Sequence, residues 1–403
     1  MKKVLALILA MAMAALCLAS CGGAKTPDGI NVDGDTIKIG VFEPTTGENG
    51  GGGMQEVIGI RYANTVVPTV TVGGKEYKIE LVEVDNQSDK TAAVTAASNL
   101  ITEGVVAVLG SYGSGVSIAA GATFESAGVP AIGCSCTNPQ VTAGNDFYFR
   151  VCFLDPFQGT VMANYAYATK GLQKAYVIYQ NGDDYSTGLA NYFMQAYKGE
   201  LVGQSTYNTN ESDFNAYITA AKAANPDVIF IPSSIQTAGL FIKQAREAGL
   251  NCEIMAGDTW ENQTIIDNAG KANCEGVSLS TFFDENDSGA VEFVKGYKAF
   301  LNSDKENINL NGGNDTVAAV SALGYDAYMT VIEALKSMNT ETINSVALRD
   351  AIAKVSFTGV TGKITFDENG DANKDTAYIK TMSDGKFKFL GTQKTDGSFN
   401  AVK

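Results

Sequence analysis

Three short segments carry the residue types best suited to holding a small charged molecule. The first is Gly110-Ser111-Tyr112-Gly113-Ser114-Gly115-Val116-Ser117, behind an apolar run and opening a helical pattern. Its small residues let a ligand approach the backbone, and helix N-terminal N–H groups with the Ser114 hydroxyl suit a carboxylate. It lacks the Gly-Lys-Ser/Thr of a phosphate loop, so nucleotide binding is not supported. The plain alternative is a glycine turn with a serine cap. The second is Cys134-Ser135-Cys136-Thr137-Asn138-Pro139. Carbonyls there could accept from an ammonium, and the Thr137 hydroxyl can donate or accept. The plain alternative is a capped turn before Pro139. The third is Gly257-Asp258-Thr259-Trp260-Glu261. Asp258 could neutralise an ammonium, and Trp260, the single tryptophan, could cover an apolar group or a cation. Read alone, Asp258 is better taken as a helix cap and Trp260 as a core residue. Asn181-Gly182-Asp183-Asp184-Tyr185-Ser186 is a fourth capped turn, with Tyr185 opening a helix. Asp367-Glu368-Asn369-Gly370-Asp371 has some look of a calcium loop but lacks its closing glutamate, so a hairpin turn is expected.

What is missing narrows the chemistry. The 403 residues include no histidine, which removes the commonest general base and the commonest metal ligand together. A Ser-His-Asp or Cys-His enzyme is excluded, a zinc enzyme is disfavoured, and no cofactor or metal is expected. The net charge of −15 argues against nucleic acid and anionic lipid as partners. Of seven cysteines, Cys17 and Cys21 lie in the N-terminal segment. Among Cys134, Cys136, Cys152, Cys252 and Cys274, the pair Cys252 and Cys274 could bridge. Otherwise all five are small buried hydrophobes.

The N-terminal segment is an address. Lys2 and Lys3 precede an apolar run from Val4 to Leu18, then Leu18-Ala19-Ser20-Cys21. A basic start, a short apolar core and small residues at the cut describe a secretory signal. The run is too short for the roughly 20 residues of a membrane span. Leu-Ala-Ser-Cys resembles a bacterial lipobox, implying removal of residues 1–20 and lipidation of Cys21. Residues 21–35 then read as a flexible tether.

The elements that must position these segments alternate. Strands are expected at 37–42, 77–85, 105–109 and 130–133, with helices at 54–66, 90–103 and 117–127 between them. The pattern restarts at Lys174–Tyr179 and runs to Val277–Phe282. This predicts α/β architecture, parallel sheets with helices on both faces, in two successive lobes. Helices at 288–301, 318–337 and 345–355 follow, then alternating segments that read as antiparallel edge strands. The three chemical segments all sit just past parallel strands, where open α/β sheets bind ligands.

Taken in order, these residues resemble a known family. The lipobox, the strand Ile37–Phe42, Pro44-Thr45-Thr46-Gly47, Gly59-Ile60-Arg61-Tyr62-Ala63, Gly110-Ser111, Thr137-Asn138-Pro139, Asn181 to Gly188, Gln244-Ala245-Arg246-Glu247-Ala248-Gly249 and Gly324-Tyr325-Asp326-Ala327 look like the leucine/isoleucine/valine-binding (type I) periplasmic binding proteins. The resemblance implies two Rossmann-like lobes joined by three crossover strands, with the ligand between them. It places lobe 1 at 36–155 and 284–359, and lobe 2 at 156–283 and 360–403. It implies a carboxylate held by Ser114 and Thr137. The ammonium would meet the carbonyl of Ser135, Thr137 and Asp258. Tyr185 would come from the second lobe, with Tyr112, Trp260 and Tyr325 lining the pocket. The expected function is capture of a branched-chain or related α-amino acid and delivery to the transmembrane subunits of an ABC permease. The protein would be a non-enzymatic monomer, anchored by lipid to the outer face of a Gram-positive-type membrane. An amide, urea or aromatic acid as ligand, or a sensor role, stays open. The chain departs from the family in Gly50-Gly51-Gly52-Gly53, where an aromatic is common, in Asp258 for glutamate, and at Ser233-Ser234.

Overall fold

The computed structural model describes residues 27–402; the leader, Cys21 and the start of the tether lie outside the described residues. The first sheet contains β1 (Thr36–Glu43), β2 (Thr69–Val72), β3 (Lys75–Asp85), β4 (Ala107–Leu109), β5 (Ala131–Gly133) and β6 (Tyr148–Arg150). Their spatial order is β2-β3-β1-β4-β5-β6, parallel throughout except for β2 on β3. Helices α1 (Gly50–Val66), α2 (Lys90–Thr102) and α3 (Ser114–Ala127) connect β1, β3 and β4 to the strands that follow them, and a short turn at Pro139–Val141 leads from β5 to β6. Strands β1, β4 and β5 are almost wholly buried, as expected of a sheet covered on both faces.

The chain then crosses into α4 (Asp155–Asn164) and a second sheet. There β7 (Lys174–Gln180), β8 (Glu200–Tyr207), β9 (Val228–Phe230), β10 (Glu253–Ala256) and β11 (Ser278–Thr281) alternate with α5 (Asp184–Ala196), α6 (Asn215–Ala224), α7 (Ile235–Glu247) and the short α8 (Gln263–Ala269) and α9 (Lys271–Cys274). After β11 the chain returns to the first lobe for α10 (Val291–Leu301), α11 (Lys305–Leu310), α12 (Ala319–Ser337) and α13 (Ser345–Ile352). Helix α12 packs along α1, where the Ser321 hydroxyl donates to the Gln55 carbonyl at 2.8 Å. A two-stranded ribbon, β12 (Phe357–Gly359) with β13 (Gly362–Ile364), precedes the third crossing. Strands β14 (Ala377–Ser383), β15 (Lys386–Gln393) and β16 (Phe399–Ala401) then extend the second sheet antiparallel from β11, giving the order β16-β15-β14-β11-β10-β9-β7-β8.

Several sequence expectations change here. Residues 30–35 do not hang free: Ile30 N–H donates to Ser345 Oγ at 2.8 Å, Ser345 N–H returns a bond to Ile30 at 2.9 Å, and Val32 N–H donates to Ile343 at 2.9 Å. Glycine, aspartate and proline signalled a segment without a core, but these bonds and the packing of Ile30 and Val32 against the core tie it down. The run Gly50–Gly53 is the first turn of α1, not a turn before it. Glycine is a poor helix former, but a Cβ on Gly52 would collide with the Tyr112 ring and one on Gly53 with the Pro44 carbonyl. The polar loop after α10 contains α11, capped by the Asp304 side chain accepting from Glu306 N–H. The five described cysteines are free. Beside Cys252 and Cys274, Arg246 Nη1 donates to Leu250 and Cys252 carbonyls and Nε to that of Asn273, joining those two segments without a disulfide.

Candidate functional site

Each sheet reverses its winding direction once, and both reversals face the same cleft. In the first sheet the switch lies between β1 and β4, whose carboxyl ends lead into Pro44–Asn49 and Gly110–Ser114. In the second it lies between β7 and β9, which lead into Gln180–Tyr185 and Ser233–Ser234. Ligands bind at such points because the diverging loops leave a crevice there. The cavity between the lobes is about 50 Å³ and is lined from all four loops, with Ser135 beyond β5 and Asp258 and Thr259 beyond β10.

Five of the eight candidate residues share this cavity: Tyr112, Ser114, Ser135, Tyr185 and Asp258. Ser114 is the first residue of α3, so the unpaired N–H groups of that helix start beside it. Its Oγ accepts from Asn138 N–H at 3.1 Å, which leaves its own proton free to donate into the cavity. Asp258 stands on the other lobe. Its Oδ1 accepts from Gln158 Nε2 at 2.8 Å and from the Tyr185 hydroxyl at 3.1 Å. Burial pushes the Asp258 carboxyl up to about 6, against those two donors. A buried carboxylate in this state gains from a cation brought within reach.

Behind Ser135 lies a second pair of acids. Ser135 Oγ donates to Glu56 Oε1 at 2.5 Å, and Glu43 Oε2 accepts from Tyr112 N–H at 2.7 Å. Burial and the neighbouring Glu56 hold Glu43 well above the usual carboxylate range, while burial lifts Glu56 to about 7. Glu43 Oε1 and Glu56 Oε2 have no other partner, and a proton held between the two carboxyls satisfies both. Cys134 sits within ligand distance of the pair, but burial pushes its thiol well up, away from the thiolate that a metal needs.

The other three candidates lie elsewhere. Thr137 is fully buried behind the cavity, where its hydroxyl faces the buried carboxyl of Asp155. Its loop is fixed by Arg150, whose Nη1 donates to Cys136 and Asn138 carbonyls at 2.8 and 2.6 Å and whose Nε meets Asp371 at 2.5 Å. Trp260 is 0 % exposed and donates its indole N–H to Ser233 Oγ at 3.0 Å, so it underpins the loop and does not line the cavity. Tyr325 belongs to an aromatic cluster with Tyr62 and Phe293, their ring centres 5.8 and 5.0 Å away on the flank of the first lobe. Residues 367–371 form the expected hairpin turn, with Phe366 bridging Ala372 antiparallel and Asp367 Oδ1 accepting from Asn369 and Asp371 N–H groups. Ser234, singled out as a departure from the family, lines the cavity, and the residues that sequence reading passed over are Glu48, Ser88, Lys90, Gln180 and Asp183. Asp183 was within a quoted motif but looked like a cap, which it also is, accepting from Ser186 N–H at 2.7 Å.

The cavity is closed by bonds between lobes. Tyr112 Oη donates to the Thr259 carbonyl at 3.3 Å, Asn138 Nδ2 to that of Asp184 at 2.7 Å, and Asn262 Nδ2 to Gln55 Oε1 at 3.1 Å. Ile235 N–H donates to Asn49 Oδ1 at 3.2 Å, and Lys90 pairs with Asp184 at 2.8 Å.

Comparison with known proteins agrees with this arrangement. The sequence model described as periplasmic binding protein matches residues 36–386. A Leu/Ile/Val-binding protein homolog from Brucella suis is 28% identical over 366 residues, covering 88% of this chain and 93% of that protein. The crystal structure of a leucine binding protein, LivK, from Thermotoga maritima superimposes with a TM-score of 0.80 at 32% identity, covering 90% of this chain and all of that one. The branched-chain amino acid transporter substrate binding protein LivJ from Streptococcus pneumoniae, solved with isoleucine, gives 0.79 at 30% identity, covering 91% and 99%.

Proposed function

The chain belongs to the periplasmic binding protein family, type I, the solute-binding proteins of ABC importers, and on that premise we propose that it captures an α-amino acid in the interlobe cleft. It then delivers this cargo to the transmembrane subunits of an ABC permease, held at the outer face of the membrane by a lipid on Cys21. One observation carries the ligand class. A free helix start with the Ser114 hydroxyl faces, across a closed cavity, a buried carboxylate held by Tyr185 and Gln158. The first suits a carboxylate and the second an ammonium. Relatives named for amino acids support this reading. The anchor rests on Leu18-Ala19-Ser20-Cys21.

An aromatic acid offers no cation to the buried Asp258 carboxyl, which works against that alternative. Titration calorimetry of the purified mature protein against the common L-amino acids, urea, short amides and benzoate tests the proposal. Binding of at least one α-amino acid, lost when its carboxylate or its ammonium is blocked, is expected. Binding confined to urea, amides or benzoate overturns it.

A further inference from the structure

Two serines of the first lobe border the cavity, and their hydrogen bonds give them opposite polarity. Ser114 Oγ accepts from Asn138 N–H, so it keeps a proton to give. Ser135 Oγ spends its one proton on Glu56 Oε1, so towards a ligand it can only accept. What fixes Ser135 is the acid pair behind it. Glu43 ends β1, Glu56 lies in α1, and both are 0 % exposed. Their carboxylate oxygens come within 4.8 Å of each other. The neighbours acting on them, Asp258, Cys134 and Cys136, are an acid and two thiols and bring no positive charge. Two buried carboxylates this close do not both ionise. One proton between Glu43 Oε1 and Glu56 Oε2, the two oxygens without another partner, accounts for all four. The outer oxygens are then both acceptors, and each meets a donor: Tyr112 N–H at Glu43 Oε2 and the Ser135 hydroxyl at Glu56 Oε1. Asp258 of the second lobe acts on Glu56, so the Ser135 oxygen and the Asp258 carboxylate serve the same end of the cavity.

Resting on the α-amino-acid reading above, we propose that Glu43 and Glu56 are positioning residues for the cargo: sharing one proton, they hold the Ser135 hydroxyl as a fixed acceptor for the α-ammonium. The pair keeps one negative charge behind that hydroxyl, which strengthens a hydrogen bond received from a cation. Ser135 has no proton left to offer a neutral oxygen. An α-amino acid brings three N–H donors and a charge to this point. Its 2-hydroxy analogue brings one O–H and no charge, so it gains little from the arrangement.

Calorimetry at pH 7.5 with the common L-amino acids, and with the 2-hydroxy acid of each one that binds (lactate for alanine, 2-hydroxyisocaproate for leucine), tests this. Glu56→Met frees the Ser135 proton and removes the shared charge. It should weaken amino-acid binding on the order of tenfold or more, as loss of a charge-assisted contact does, and change hydroxy-acid binding less than threefold. Glu56→Gln should restore amino-acid affinity to within threefold of wild type, its amide donating to Glu43 and its carbonyl accepting from Ser135. Ser135→Ala, a smaller change should Glu56→Met fail to fold, should weaken amino-acid binding on the order of tenfold. Ser135→Ala within threefold of wild type overturns the proposal and leaves the amino-acid reading standing. So does Glu56→Gln weakening binding as much as Glu56→Met, or either acid substitution weakening both ligand classes equally. Binding of no α-amino acid overturns the amino-acid reading, and this proposal with it.

Discussion

Replacing Asp258 by asparagine should move binding and stability in opposite directions. The carboxylate is fully buried, and burial raises it from 3.8 to about 6. Holding it ionised above that pH therefore costs the unliganded protein about 3 kcal/mol, at ~1.4 kcal/mol for each unit. Asparagine keeps an oxygen for Gln158 Nε2 and the Tyr185 hydroxyl and abolishes the charge. Its new amide donor lacks a partner, which returns ~1–2 kcal/mol. The expected net is a gain of about 1–2 kcal/mol at pH 7.5, read as a higher melting temperature without ligand. At pH 5 the wild-type carboxyl is protonated and the gain should shrink toward zero. Binding should fall, because a hydrogen-bonded ion pair contributes roughly 1.5–3 kcal/mol, or about 10- to 150-fold in Kd. Calorimetry and thermal unfolding on the same preparation give both numbers. An affinity within threefold of wild type, or a lower melting temperature at pH 7.5, refutes the assignment of Asp258 as the buried charge that ligand neutralises.

Two further outcomes follow from the same buried charges. Glu56 and Glu48 are raised to about 7 and Asp258 to about 6, each by burial. Folded protein therefore binds more protons than unfolded chain between about pH 4 and 7, and its stability falls as pH rises through that window. The unliganded melting temperature should be higher at pH 5.5 than at 7.5, while affinity for a cationic ligand should rise over the same interval; parallel slopes would contradict both. In the second lobe Lys380 is buried between Glu261 at 2.5 Å and Asp284 at 3.1 Å. Lys380→Met should cost about 3–5 kcal/mol in urea unfolding by stranding two buried carboxylates, and adding Glu261→Gln and Asp284→Asn should recover most of it.

How much was legible depended on whether the signal was local. The alternation of β1 through β5 with α1 to α3 rests on buried apolar strands and capped helices, such as Asp89 accepting from Thr91 and Ala92 N–H groups before α2, and local pattern conveys that. Strand β2 escaped because its alternation runs for only four residues, and β8 because just one of its eight residues is buried. Tyr112, Ser114, Ser135, Tyr185 and Asp258 were legible because each follows a parallel strand, where topology concentrates sites. Tyr325 failed this test, lying within a helix, and Trp260 failed because size and polarity together do not reveal which way a side chain turns. Glu48 and Asp183 were illegible for a different reason. A carboxylate in a turn is ordinarily a solvated cap, and only the meeting of the two lobes makes it part of a cavity wall. Arg150 with Asp371 and Lys380 with Glu261 join residues more than a hundred positions apart, beyond any spacing rule.

That distinction bears on how ligand closes the cleft. The bonds spanning it are few and polar. Tyr112 to Thr259, Asn138 to Asp184, Asn262 to Gln55 and Asn49 to Ile235 each contribute about 0.5–1.5 kcal/mol net, and the Lys90–Asp184 pair, which is largely solvent-exposed, contributes at most about 1. Closing on an empty cavity also leaves Asp258 buried without a cation and within reach of the Glu56 charge, which offsets part of that gain. A ligand shifts that balance only through contacts better in the closed state. Moving a population from one part in a hundred closed to ninety-nine takes about 5.5 kcal/mol, and two charge-assisted contacts at roughly 1.5–3 kcal/mol each reach that range. A carboxylate at Ser114 and an ammonium at Asp258 are two such contacts on opposite lobes, so a ligand carrying both groups closes the cleft and one lacking either falls short of it.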